Sequence, residues 1–197
     1  MTTLAVPLVA PPTDKRLPGD LAIWFFILAE MFAFAVFFAS YAFARAHDVE
    51  LFNTYQQTLD RNAGALNTLL LITASWFVVL AVQAAHRDDQ KAISRNIALG
   101  FLCGGGFLVV KVFEYAAKFG AGISLSTNTF YMFYISLTFF HFMHVILGMV
   151  ILGVIWAQSR NGAYGAHNAH GLESGAAYWH MVDLLWIILF PLVYVMR

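Results

Sequence analysis

Cysteine is almost absent. Cys103 stands alone among 197 residues, which excludes an internal disulfide and any metal centre built on two thiolates. Charge is scarce as well. Charged side chains make up 11% of the chain, and the net charge is zero with histidine neutral. Soluble domains carry about 25% charged residues, so the shortage points to lipid as solvent. The basic stripe that nucleic acid requires is missing, and no nucleic-acid partner is expected. There is no nucleophile elbow, phosphate loop, Cys-His pair or His-Glu-x-x-His motif, so no catalytic site of its own is expected. Signal-peptide features are lacking too. Leu4 to Ala10 is short, is broken by Pro7 and has no basic residue before it. Pro11, Pro12 and Pro18 mark residues 1–19 as an extended N-terminal arm.

What is abundant is apolar surface: 60% of residues are hydrophobic and 16% aromatic. Five apolar runs stand out, at 21–44, 65–85, 97–117, 130–157 and 176–196. Each reaches the ~20 residues that a ~30 Å hydrocarbon core demands of a helix. With no water to satisfy the backbone, such runs must be helical. The expected fold is all-α: one polytopic membrane domain, 20–197, built as a bundle of five transmembrane helices. Basic residues set its orientation. Lys15, Arg16, Arg87, Lys91, Arg95 and Arg160 fall on the N-terminal side, against Arg45, Arg61, Lys118 and Arg197 on the other. That bias favours a cytoplasmic N-terminus, and five crossings then put the C-terminus outside. Gly100 and Gly104 offer a face where another helix can approach closely. Pro191, late in the fifth run, predicts a kink.

Ionisable groups inside such runs need partners or a task. His141 and His144 lie three apart on one helix face, as do His180 and Asp183. At ~1.5 Å per residue, Glu30 lies about 14 Å from the inner end of its run, His144 roughly 21 Å from the outer end of its own and Asp183 about 10 Å from the inner end. Glu30, His144 and Asp183 can therefore meet if the first, fourth and fifth helices are neighbours. His141 would then lie one turn further out, and His180 closer to the inner surface. Glu114, near the outer end of the third run, has Lys111 and Lys118 one turn before and after it, which reads as a snorkelling charged helix end. The histidines suit three roles: hydrogen bonding to carboxylates between helices, a metal or haem site, or a proton path or lipid-headgroup site. One His pair with few further ligands is thin support for a metal, and none is expected.

Several stretches together resemble subunit III of the haem-copper oxidases. Tyr178-Trp179-His180, followed by Val182-Asp183 and Trp186, resembles the family's C-terminal signature, and Glu173 matches a glutamate of the preceding loop. His141-x-x-His144-Val145-Ile146-x-Gly148 resembles its penultimate helix, Glu114-Tyr115 the end of the helix before, and Asn67-Thr68-Leu69 its Leu-Asn-Thr motif. Glu30, within Leu28 to Phe34, falls where the family keeps a membrane-buried glutamate.

The resemblance implies a short, five-helix accessory subunit of a bacterial inner-membrane respiratory complex. It implies no cofactor bound by this chain, with haem and metal in an integral-membrane catalytic partner. Glu30 would inherit a place near a proton route of that partner. Longer members hold phospholipid in a cleft formed by two further helices that are not among these five runs; a bound phospholipid is what the resemblance carries over. The short length and Phe130-Tyr131-Met132-Phe133-Tyr134 look closer to the NorE-type accessory protein of nitric oxide reductase; the alternative is subunit III of a terminal cytochrome c or quinol oxidase. A reading of another class is a free-standing proton-coupled transporter or metal-binding membrane protein.

Overall fold

The computed structural model describes residues 19–196. The rest of the N-terminal arm, with Lys15 and Arg16, and Arg197 lie outside the described residues. The elements are α1 (Leu21–His47), α2 (Val49–Gln56), α3 (Arg61–Ala85), α4 (Gln90–Gly120), α5 (Thr129–Arg160) and α6 (His170–Phe190). A π-helical turn, Pro191–Val195, extends α6. Five of these helices are long and apolar enough to cross a membrane: α1, α3, α4, α5 and α6 with its extension.

The helices overrun the apolar runs at most ends because polar residues cap them beyond the hydrocarbon. Asp20, Asp48, Asp60, Asp89 and Asn128 each accept a hydrogen bond from a backbone N–H of the following turn. Helix α2 lies in what the sequence marked only as a polar connection. Asp48 caps it, and its Phe52 is buried against Tyr41 and Phe130. At Pro191 the α-helix gives way to a π-helical turn. The missing proline N–H removes one ladder bond, and the wider turn absorbs it.

Helices α3, α4, α5 and α6 close a ring in which each packs on its neighbours, α6 returning to α3. Helix α1 lies outside the ring against α6 and α5. It buries the smallest share of its apolar window, and α6 the largest. The ring interior is aromatic: Trp179, Trp186, Tyr134, Tyr194 and Phe107 are fully enclosed.

Candidate functional site

Two of the three groups expected to converge do so. His144 Nε2 lies 3.0 Å from Glu30 Oε2, joining α5 to α1. The other ring nitrogen, Nδ1, lies 2.8 Å from the Phe140 carbonyl. A carbonyl only accepts, so Nδ1 carries a proton. The bond between Nε2 and Glu30 then holds one further proton, either as imidazolium donating to carboxylate or as carboxylic acid donating to imidazole. The Tyr178 hydroxyl donates to the His144 carbonyl at 3.1 Å. Phe34 packs edge-on to the imidazole. The Glu30 side chain keeps 22% of its surface exposed, so the pair opens on the flank of α1.

Asp183 is not part of this pair. On α6 the inward stripe is Trp179, Val182 and Trp186. Residues 180 and 183 lie on the flank turned to α3. There His180 Nδ1 hydrogen-bonds the Ser75 hydroxyl at 2.7 Å, and Asp183 adjoins the same serine and histidine. Rotation about the helix, which depth leaves free, decides its partner. His141 is fully buried, yet neither ring nitrogen has a hydrogen-bond partner. It is walled by Phe34, Phe107 and Trp186 and reaches no carboxylate.

A buried polar cluster forms around Lys111 and Glu114, which the sequence predicts as an outward-turned helix end. Lys111 is 0% exposed and does not snorkel. Its Nζ donates to Glu114 Oε2 at 3.1 Å and to the Tyr194 hydroxyl at 3.0 Å. Tyr134 and Tyr194 both donate to Glu114 Oε1. The ammonium also lies 4.9 Å from the centre of the Tyr115 ring. Beside it, the Tyr115 hydroxyl donates to Thr138. A signal for this was present. Gly100, Gly104, Phe107, Lys111 and Glu114 repeat at four, three, four and three residues, and all five are buried along α4. That stripe carries Lys111 into the ring. Lys118 does turn outward, donating to the Thr58 carbonyl at 2.7 Å.

Glu173 lies in the first turn of α6 rather than in the loop before it, because α6 starts at His170. It accepts from the Gly19 N–H at 3.3 Å and sits 3.5 Å from His86 Nε2. It ties the start of the described chain to the end of α3. Thr68 accepts from the Trp186 indole N–H at 3.0 Å and donates to the Gly64 carbonyl. Asn67 is fully buried with its amide unpaired. An apolar cleft of about 450 Å³ opens between α1, α3 and α6, lined by Trp24, Ile27, Met31, Val79 and His180. Among the described residues no three His, Cys, Asp or Glu side chains converge as metal ligands do.

The fold and these pairings define a polytopic membrane protein whose intramembrane ionisable groups are mostly tied to one another. Its family is also fixed. The family model described as cytochrome c oxidase subunit III matches residues 18–197, and the chain belongs to that family. It is 33% identical over 205 residues to cytochrome c oxidase subunit 3 of Thermostichus vulcanus, covering 99% of this chain and 94% of that one. To the same subunit of Bacillus sp. strain PS3 it is 25% identical, covering 95% and 91%. It is also 29% identical to the haem-copper oxidase subunit I+III of Aeropyrum pernix, covering 88% of this chain and 22% of that longer one.

Proposed function

We propose that the chain is a non-catalytic accessory subunit of a haem-copper-type respiratory complex. It packs on the integral-membrane catalytic subunit, which holds the haem and metal, and supports that partner's assembly, stability and proton uptake. The observation carrying this is the Glu30–His144 pair. It is a one-proton hydrogen bond in the apolar interior, open on the helix least covered by this chain. A partly exposed carboxyl there, even one paired with a histidine, is costly, and service to a neighbouring subunit accounts for it. A relative named subunit I+III supports the adjacency, since its name joins the two subunits in one chain. The proposed setting is a bacterial inner membrane, with the N-terminus cytoplasmic and the C-terminus periplasmic. The apolar cleft beside α1 is proposed to take phospholipid acyl chains.

Within the superfamily, the NorE-type branch is the narrower reading, carried by residues 130–134. The names of the relatives favour the oxidase branch. Co-purification decides between them. A partner with haem b and non-haem iron supports the reductase. A haem-copper centre with oxygen uptake supports the oxidase.

Glu30→Ala is expected to leave the complex assembled while its turnover, or the time over which turnover is sustained, falls several-fold. His144→Leu is expected to weaken assembly instead. It removes the Nδ1–H bond to the Phe140 carbonyl and leaves the Glu30 carboxyl without its partner, at a cost of about 1–3 kcal/mol. Proton uptake and activity decay, measured on the purified complex, test both. Unchanged turnover and unchanged lifetime in Glu30→Ala would remove the proton-supply role.

A further inference from the structure

A second site stands at the end of the bundle where α4 begins and α5 ends, away from the Glu30–His144 pair. A cavity of about 510 Å³ lies there, walled by Lys91, Ser94 and Arg95 of α4 and by Trp156, Ser159 and Arg160 of α5. Both sets follow helical spacing, so each presents one face to the other. Three cations line this cavity and no carboxylate does. Among the described residues, none of the three has an acidic group within ion-pair distance.

The two acids just before α4, Asp88 and Asp89, turn an oxygen to backbone N–H groups and do not line the cavity. Asp88 accepts from the Ala166 N–H at 2.6 Å, and Asp89 caps α4 through the Ala92 N–H at 3.0 Å. The Gln90 side chain donates to the Tyr164 carbonyl and fixes the loop above the cavity. Three like charges held together without a counter-ion repel one another, and an anion between them relieves that.

Depth and the tryptophan identify the anion. Helix α4 has 31 residues. That is about 46 Å of helix against ~30 Å of hydrocarbon, so its first turns stand at headgroup level. Trp156 is 38% exposed, and the Arg160 guanidinium lies 5.4 Å from its ring centre. An indole at this level is an interfacial anchor. Below the cavity, exposed Leu102, Val150 and Val154 continue both helices into the apolar zone. We infer that this pocket binds the phosphodiester of an anionic glycerophospholipid, with Lys91, Arg95 and Arg160 on the phosphate and the acyl chains along α4 and α5. Basic pockets between transmembrane helices take such headgroups. The inference needs only the membrane-spanning fold and is independent of the partner proposed above.

The test uses the full chain purified in a neutral detergent and titrated with dioleoylphosphatidylglycerol or dioleoylphosphatidylcholine, with bound lipid counted by native mass spectrometry. Each basic side chain near an anionic surface is worth roughly a fivefold change in partition. Lys91→Gln/Arg95→Gln/Arg160→Gln is therefore expected to lose at least about tenfold in phosphatidylglycerol affinity. Arg45→Gln/Arg61→Gln/Arg87→Gln, with the same charge change elsewhere, should keep it. Arg95→Lys/Arg160→Lys should keep most of it, which separates charge from fold. If the triple variant folds poorly, Arg95→Gln alone should still lose several-fold. Millimolar inorganic phosphate should compete only weakly, because it lacks the chains. Three results would each overturn the site: no preference over phosphatidylcholine in the parent chain, an unchanged preference in the charge-removing variants, or saturation by inorganic phosphate with no added affinity for the lipid.

Discussion

Glu114→Ala is expected to cost about 3–5 kcal/mol of stability, the range for breaking one side of a buried ion pair. Glu114 accepts from Lys111, Tyr134 and Tyr194. Its removal leaves an enclosed ammonium without a counter-charge, held only by the Tyr194 hydroxyl, and two phenolic O–H groups without their acceptor. Lys111→Met should cost less, since Glu114 keeps both tyrosine donors. The paired change Lys111→Met/Glu114→Gln should recover most of the loss. The glutamine oxygen still accepts from the tyrosines, and methionine fills the lysine's channel. Thermal unfolding of the purified chain in detergent, followed by circular dichroism, measures all three. Equal losses in the single and paired variants would show that the ion pair is not what holds this end of the ring.

Gly104→Ala is expected to be the next most damaging change, at about 1–3 kcal/mol for overpacking. A Cβ there would lie 2.6 Å from the Met149 sulfur and 2.6 Å from the rim of the Trp179 indole. Methionine can move, but the indole cannot. It is also wedged against Gly148, where an added Cβ would lie 2.9 Å away. Trp179 thus sits in a notch made by two glycines on two helices. The neighbouring Gly105→Ala would meet only the Met149 methyl, at 3.8 Å. It should be neutral, or stabilising by up to about 1 kcal/mol through helix propensity. The same unfolding assay compares the two. Close packing of this kind matters more in lipid than in water, because lipid tails remove the hydrophobic drive between helices. Equal behaviour of the two glycines would refute the notch.

The pairing of Glu30 with His144 was legible because both are rare polar groups in apolar runs, and counting residues gives depth directly. The family was legible for a different reason: its motifs are local, such as Tyr178 to Trp186, and need no fold to be read. Lys111 was misread although its stripe with Gly100, Gly104 and Phe107 was in view. A charge near a run's end normally escapes to water, and nothing local reveals that Tyr194, 83 residues on, closes over it. Asp183 failed in the same way, since a depth fixes height along an axis and leaves the azimuth free. Helix α2 was hidden because its one buried aromatic, Phe52, sits in a short polar stretch.

By itself, the sequence determined that this is an all-helical, five-span membrane chain with no two-thiolate centre, and it marked which polar groups must find partners. Those properties follow from composition and period, which act within one helix. Apart from the Glu30–His144 pair, which partner each group found was decided by tertiary structure. It turned Lys111 inward onto Glu114 and the tyrosines, sent Asp183 toward Ser75, and left His141 among rings. It also brought Lys91 and Arg95 opposite Arg160 across a shared cavity. The physical reason is that a helix's rotation is set by packing against its neighbours, information that no single run contains.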